Sequence, residues 1–188
     1  MDSPSYSIND LSNTPLWNLI QKKINDQNLE WENGTVDDEV GSNSRKSNIC
    51  WICEDDFRKT LFSAVNDHNR FYWNYDLDLL EPLQYGIYPE GGYYNWHIDS
   101  WQESININNK PHNRKLSFTI FLNDPDEYDG GELDIEVDGP QKDLRYHTFK
   151  RSMGTIILFK SSSWHRVRPV TSGIRKSLVG WVLGPPFR

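Results

Sequence analysis

Four residues in this sequence have types and spacing suited to oxidative metal chemistry. His97 and Asp99 lie two apart in "YYNWHID". On a β-strand running through Asp99 they share a face, because side chains alternate with a period of two. His165 follows in "SSSWHRVRPV", and Arg175 comes ten residues later in "GIRKSLVGWV". Two imidazoles and one carboxylate can hold Fe(II) on one face of an octahedron, leaving the other positions open for substrate and oxygen. Arg175 shares a strand face with Ser177, Val179, Trp181 and Leu183. A guanidinium on a mostly apolar face needs an anion, and a carboxylate is its natural bidentate partner. Each feature alone has a plainer meaning: a strand histidine is usually packing or surface, H-x-D recurs by chance, and an arginine often pairs with a structural acid. The combination is what carries weight.

The elements that must position these residues fall in two parts. "NTPLWNLIQKKIND" is a helix with Thr14 as N-cap, Pro15 at the first helical position, and Leu16, Leu19, Ile20 and Ile24 at helical spacing. "ENGTVDDEVGSNSRKSN" is polar and aperiodic, and reads as a loop. "EDDFRKTLFSAVNDHNRFY" is a second helix, with Phe57, Leu61, Ala64, Val65 and His68 on one stripe and His68 at its boundary. From about residue 83 the pattern becomes "LQYGIY", "YYNWHID", "KLSFTIFLN", "GELDIEV", "GTIILF", "WHRVRPV" and "RKSLVGWVL", separated by Gly, Pro, Asp and Ser turns. Seven or eight short strands after two helices predict a mainly β jelly-roll or cupin-like barrel with supporting helices on one outer face. In "KLSFTIFLN", Leu116, Phe118, Ile120 and Leu122 form one face, read as the inter-sheet core. Ser117, Thr119 and Phe121 form a mixed face suited to a ligand cavity.

At 188 residues the chain is expected to be one domain, with 1–80 as a helical support region and 81–188 as the jelly-roll core. A net charge of −7 argues against nucleic acid or an anionic membrane as partner. No apolar run is long enough to span a bilayer, and "MDSPSYSIND" lacks the features of a signal peptide, so a cytoplasmic protein is expected. Cys50 and Cys53 are the only cysteines, which excludes a disulfide framework and a four-cysteine zinc site. With no βαβ pattern around "CWIC", both are read as reduced packing residues rather than a redox pair.

From about Leu83 to Leu183 the motifs "YGIYPEGGYYNWHID", "KLSFTIFLNDPDEYDGGEL" and "GTIILFKSSSWHRVRPVTSGIRKSLVGWV" occur in one order. In that order they resemble the Fe(II)/2-oxoglutarate-dependent dioxygenases, and among them the prolyl 4-hydroxylase-like group. The resemblance implies a double-stranded β-helix, with His97, Asp99 and His165 as iron ligands. Arg175, helped by Ser177, would hold the far carboxylate of 2-oxoglutarate, and Tyr88 and Trp181 would line its pocket. Some prolyl hydroxylases place a carboxylate-gripping tyrosine where Phe121 aligns; Phe121 cannot donate a hydrogen bond, which leaves Thr119 as substitute or Arg175 and Ser177 alone. The implied reaction consumes O2 and converts 2-oxoglutarate to succinate and carbon dioxide while a C–H bond is hydroxylated, with ascorbate as a candidate reductant. Related halogenating sites resemble this one with the carboxylate replaced by a small residue, so Asp99 favours hydroxylation. Nucleic-acid demethylases resemble it with a second arginine where this chain has Trp181.

The substrate implied is a prolyl residue in a peptide or protein. Tyr93, Tyr94, Trp96, Trp101 and Trp164 are expected near the cavity mouth as flat apolar faces for a Pro-rich peptide. The polar segment 100–115, with His112 as a surface residue, is expected to be a loop at that mouth that orders over substrate. Hydroxylation of a free amino acid or other small metabolite is the alternative. A cupin-type enzyme would show a richer histidine cluster, and a metal-free jelly-roll binding module leaves the four-residue coincidence unexplained.

Overall fold

A computed structural model describes residues 4–26, 28–34, 44–100, 103–137 and 145–187. Its frame is two antiparallel sheets. The larger runs β1 (Tyr6–Asp10), β13 (Thr155–Lys160), β9 (Lys110–Phe121), β16 (Arg175–Gly184), β6 (Leu83–Tyr88), β4 (Asn48–Ile52), β2 (Glu32–Asn33). The smaller runs β12 (Tyr146–Phe149), β11 (Leu133–Glu136), β14 (His165–Val167), β7 (Tyr93–His97), β3 (Arg45–Lys46). β5 (Leu79–Leu80) pairs with β16, β8 (Ile105–Ile107) with β9, and β10 (Tyr128–Gly130) with β15 (Val170–Gly173). From β6 onward the chain crosses repeatedly between the sheets, with β6, β9, β13 and β16 in the larger and β7, β11 and β14 in the smaller, as a jelly roll requires.

The helices cover one side of the larger sheet. In α1 (Pro15–Ile24) the Thr14 hydroxyl accepts from the Trp17 N–H at 3.2 Å, so the cap and the proline act as the sequence predicts. α2 (Asp55–Tyr72) buries Phe57, Leu61, Val65 and Asn69, and opens with Asp55 and Asp56 at its positive end. Phe57, Leu61 and Val65 join Leu116, Phe118, Ile120 and Leu122 of β9 and Ile156 and Leu158 of β13 in one core cluster. The other phase of the same strands, Phe121, Ile157 and Phe159, joins Tyr88, Leu133, Ile135 and Val167 in a second cluster between the sheets. The apolar face of β9 therefore packs on the helices rather than between the sheets. Period-two patterning separates two faces but does not say which neighbour covers each. Each fully buried Leu, Ile or Phe contributes roughly 1.5–3 kcal/mol, so both clusters are stabilising.

Four further expectations are corrected. The 1–80 region is more than helical support, since β1 adds to β13 and β4 pairs with β6 along five residues, Asn48 to Ile52. The segment 100–115 contains a hairpin: β8 and β9 are joined by Asn108 and Asn109, both at positive φ (52° and 61°). Asparagine tolerates that conformation, so "NN" serves as the two-residue turn that glycine more often provides. His112 is buried and faces Asp78 at 3.0 Å, so it is no surface residue. Cys50 is buried as expected, but Cys53 lies past the end of β4 and is exposed; both are free. Residues 35–43 of the predicted polar loop lie outside the described residues.

Candidate active site

His97 and His165 come together because β7 and β14 are antiparallel neighbours in which the two residues stand directly opposite each other. The pairing shifts register between His165↔His97 and Val167↔Tyr94, an irregularity of the kind that re-aims side chains beside functional sites. The rings are 4.1 Å apart between centroids. Each Nδ1–H donates to the backbone carbonyl two residues earlier, His97 to Asn95 at 2.8 Å and His165 to Ser163 at 3.0 Å. That fixes the tautomer and leaves both Nε2 lone pairs facing inward.

Asp99 arrives differently from the sequence expectation. β7 ends at His97, and the chain then turns so that the Asp99 and Ser100 N–H groups both donate to the Ser161 carbonyl, at 2.9 and 3.0 Å. The carboxylate ends 3.6 Å from His97 Nε2 and 3.4 Å from His165 Nε2. The three ligand atoms lie within 4.8 Å of one another, and Asp99 Oδ2 is buried without a hydrogen bond. Burial holds the His97 imidazole down to about 3, and the adjacent His165 adds to the effect. Burial alone would raise the Asp99 pKa, but His165 and His97 outweigh it and hold the carboxyl below its usual range. A neutral His97 imidazole beside an ionised Asp99 carboxylate is a state suited to binding a divalent cation. The donor set fits Fe(II), because it caps one side and leaves coordination positions toward a cavity.

That cavity runs between the sheets and is lined by Tyr88, Thr119, Arg175, Ser177 and Trp181, all expected from the sequence. Arg175 is 1% exposed. Its Nη1 donates to Ser177 Oγ at 3.0 Å, its guanidinium lies 5.2 Å from the Tyr88 ring centre and 5.5 Å from that of Phe121, and Nε has no partner. Among the described residues no carboxylate stands within ion-pair distance of it, so the cation faces the cavity uncompensated. Gly131, at φ 65°, makes the passage for this side chain: a Cβ there would sit 3.0 Å from Arg175 Cδ and 3.2 Å from Tyr128 Cε2. Thr119 stands opposite Val179 in the register, whereas Phe121 stands opposite Ser177, so Thr119 is one step further from Arg175 than the residue it was expected to replace. The indole Nε1 of Trp181 is buried and unpartnered.

The aromatic surroundings differ from expectation. Tyr94 lines the cavity and stacks on His97 at 3.6 Å. Trp96 lies on the outer side of the smaller sheet, 5.5 Å from Tyr146 and against Arg166, because it has the opposite strand phase to the ligands. Tyr93 and Trp164 are not among the lining residues, and Trp101 lies outside the described residues. Phe159 and Gln84 do line the cavity. Gln84 was legible, since it shares the period-two face of Gly86 and Tyr88 in "LQYGIY".

The family model described as the 2OG-Fe(II) oxygenase superfamily matches residues 83–183. A PKHD-type hydroxylase from Acidovorax ebreus is 40% identical over 101 residues, covering 54% of this chain and 42% of that protein, so the match spans under half of that relative's length. Among solved structures, a Pseudomonas putida prolyl-4-hydroxylase superposes with a TM-score of 0.65 at 19% identity, over 95% of this chain and 92% of the other. A prolyl hydroxylase from Trichoplax adhaerens, solved with a hypoxia inducible factor peptide fragment, gives 0.65 at 20% identity, over 95% and 83%. At these identities the two structures establish the fold.

Proposed function

The chain belongs to the 2OG-Fe(II) oxygenase superfamily, and from that membership we propose that it hydroxylates prolyl residues in a peptide or protein, with 1–188 acting as one catalytic domain. The observation that carries the site assignment is the buried, uncompensated Arg175 in the same cavity as His97, Asp99 and His165. A guanidinium left in that state is costly to fold around unless a carboxylate ligand completes it.

In this reading His97 Nε2, His165 Nε2 and the Asp99 carboxylate hold the metal. The Asn95 and Ser163 carbonyls keep the two rings turned inward. Arg175 and Ser177 take the far carboxylate of 2-oxoglutarate through charge-assisted bonds. Tyr88 and Trp181 flank it, and Phe159 and Tyr94 keep bulk water away from the reacting atoms. When bound, Fe(II), 2-oxoglutarate and O2 supply the oxidising chemistry, with succinate and carbon dioxide as co-products. Arg114 positions the Asp99 loop: it donates to the Asp99 carbonyl at 3.3 Å while paired with Glu81 at 2.6 Å. The prolyl assignment draws on the group resemblance, the aromatic cavity walls and the prolyl hydroxylase fold. No helix among the described residues is long and apolar enough to cross a membrane.

The test is mass spectrometry of Pro-containing peptides incubated with the protein, Fe(II), 2-oxoglutarate and ascorbate. A gain of one oxygen mapped to proline is expected. Succinate release with every peptide unmodified and a small metabolite oxidised instead would overturn the substrate assignment.

A further inference from the structure

A second cation with no carboxylate partner among the described residues stands behind the Tyr94 wall of this cavity, on a segment the sequence reads as loop. β3 adds to the edge of the smaller sheet with Arg45 opposite Tyr94. The Arg45 guanidinium lies 4.7 Å from the Tyr94 ring centre and 5.9 Å from that of Tyr88. Its Nε donates to Ser47 Oγ and its Nη2 to Gln84 Oε1, both at 2.7 Å. Both partners are neutral. A guanidinium has five N–H donors, so several remain.

The placement matters because of what Tyr94 and Tyr88 touch. Tyr94 stacks on His97, so Arg45 is one aromatic ring removed from a proposed metal ligand. Tyr88 carries Arg175 as well, at 5.2 Å. Arg175 lines the cavity and Arg45 stands behind its wall, bonded to the lining Gln84 and packed on the lining Tyr94 and Tyr88, and neither has a carboxylate partner among the described residues. The co-substrate, 2-oxoglutarate, has two carboxylates. One is matched to Arg175, and the other is used with its keto group at the metal. Nothing in that inventory answers Arg45.

We infer that Arg45 is a specificity-determining residue that takes a carboxylate of the substrate at the Tyr94 side of the cavity. The inference rests on the prolyl hydroxylase reading above and narrows it to acidic prolyl compounds. The carboxylate is either that of a free or C-terminal proline, or that of an acidic side chain beside the prolyl residue. Ser47, Gln84 and Tyr94 hold the guanidinium in one position before any ligand arrives, so little side-chain freedom is lost on binding. The molecule's overall −7 does not oppose this. Exposed charges more than about 8 Å away are screened at physiological salt, whereas a half-buried guanidinium acts at contact distance.

The experiment uses probe pairs that differ only in acid against amide: L-proline and L-prolinamide, acetyl-alanyl-proline and its amide, acetyl-prolyl-glutamate amide and acetyl-prolyl-glutamine amide. Each is titrated calorimetrically into wild-type and Arg45→Gln protein loaded with Mn(II) and 2-oxoglutarate. In at least one pair the acid binds roughly tenfold more tightly to wild type. In Arg45→Gln that preference falls to about twofold or less while 2-oxoglutarate affinity is unchanged. The pair that responds identifies the source of the carboxylate. Three results overturn the inference: no acid preference in any wild-type pair, whether by equal binding or by none; a preference that survives in Arg45→Gln; or a loss of 2-oxoglutarate affinity in that variant. The first needs no variant, so misfolding of Arg45→Gln does not shield the idea. Metal-dependent 2-oxoglutarate binding to wild type is measured in the same series. If it is absent, the oxygenase site itself falls; if it is present without acid preference, only the role of Arg45 falls.

Discussion

Asp134 and Arg175 are both charged and both sealed from solvent, at 0% and 1% exposure, yet their surroundings are opposite. Asp134, on the outward face of β11, accepts from Thr148 Oγ1 at 2.7 Å, Arg166 Nε at 2.7 Å and Arg168 Nε at 2.9 Å. Those arginines keep about a third of their surface in water and rest on Trp96 and Tyr146. Burial would raise the Asp134 pKa, but the bonds from Arg168, Thr148 and Arg166 outweigh it and hold it below the usual range. Arg175 has one serine, two ring faces, the neutral Tyr128 phenol beside it and a partnerless Nε, and no carboxylate among the described residues. A buried charge with all its partners is a fastening of the fold, while one left open toward a cavity awaits a ligand. Asp134 ties β11 to β14, the strand that carries His165, and so serves the site without belonging to it.

The largest expected effect lies at the metal ligands. His165→Ala abolishes turnover and cuts Fe(II) affinity severely, with circular dichroism unchanged, since the two apolar clusters do not depend on it. Full iron binding in that variant would refute the ligand assignment. Arg175→Ala comes next: it raises the half-saturating 2-oxoglutarate concentration about 100-fold, the equivalent of a buried charge-assisted contact of ~3 kcal/mol. Ligand-free Arg175→Ala should melt no lower than wild type, because it removes an uncompensated cation; a large drop would make Arg175 a fastening like Asp134.

Asp134→Asn gives the mirror image. It should cost about 2 kcal/mol at neutral pH, seen in urea unfolding, with 2-oxoglutarate affinity within twofold of wild type. The folded-state pKa of Asp134 is depressed. Its contribution is therefore fully present above the ordinary carboxylate range and lost as pH falls through the depressed value, so the stability gap between the two proteins should begin to narrow only below about pH 4 and close once pH lies below the depressed value. A gap that persists there would mean the loss comes from packing. Ser177→Ala is the smallest, about fivefold in 2-oxoglutarate affinity for one neutral bond of ~1 kcal/mol. No change would leave Arg175 as the sole grip.

Much of this contrast was legible in residues that obey local periodicity. Arg175, Ser177, Val179 and Trp181 do share the cavity face, because period-two alternation within one strand holds regardless of the rest of the fold. Thr14 and Pro15 fixed the start of α1 for equally local reasons. What escaped depends on distant partners. Asp99 reaches the site through a turn held by the Ser161 carbonyl, sixty-two residues further along the chain (161 − 99), and not through a continued strand. Arg45 sits on a two-residue polar strand that exists only because β7 offers its edge. Trp96 looked like a neighbour of the ligands in sequence, but its phase puts it on the outer face with Arg166 and Tyr146.

The central claim is that Arg175 and the His97, Asp99, His165 cluster form one site for one co-substrate. Calorimetric titration of 2-oxoglutarate into the protein without oxygen, with and without Mn(II) as an inert stand-in for Fe(II), tests it directly in wild type and Arg175→Ala. Tight binding only when metal is present, weakened about 100-fold by the substitution, is the predicted result. Binding that ignores the metal, or is equally tight in Arg175→Ala, would contradict the account.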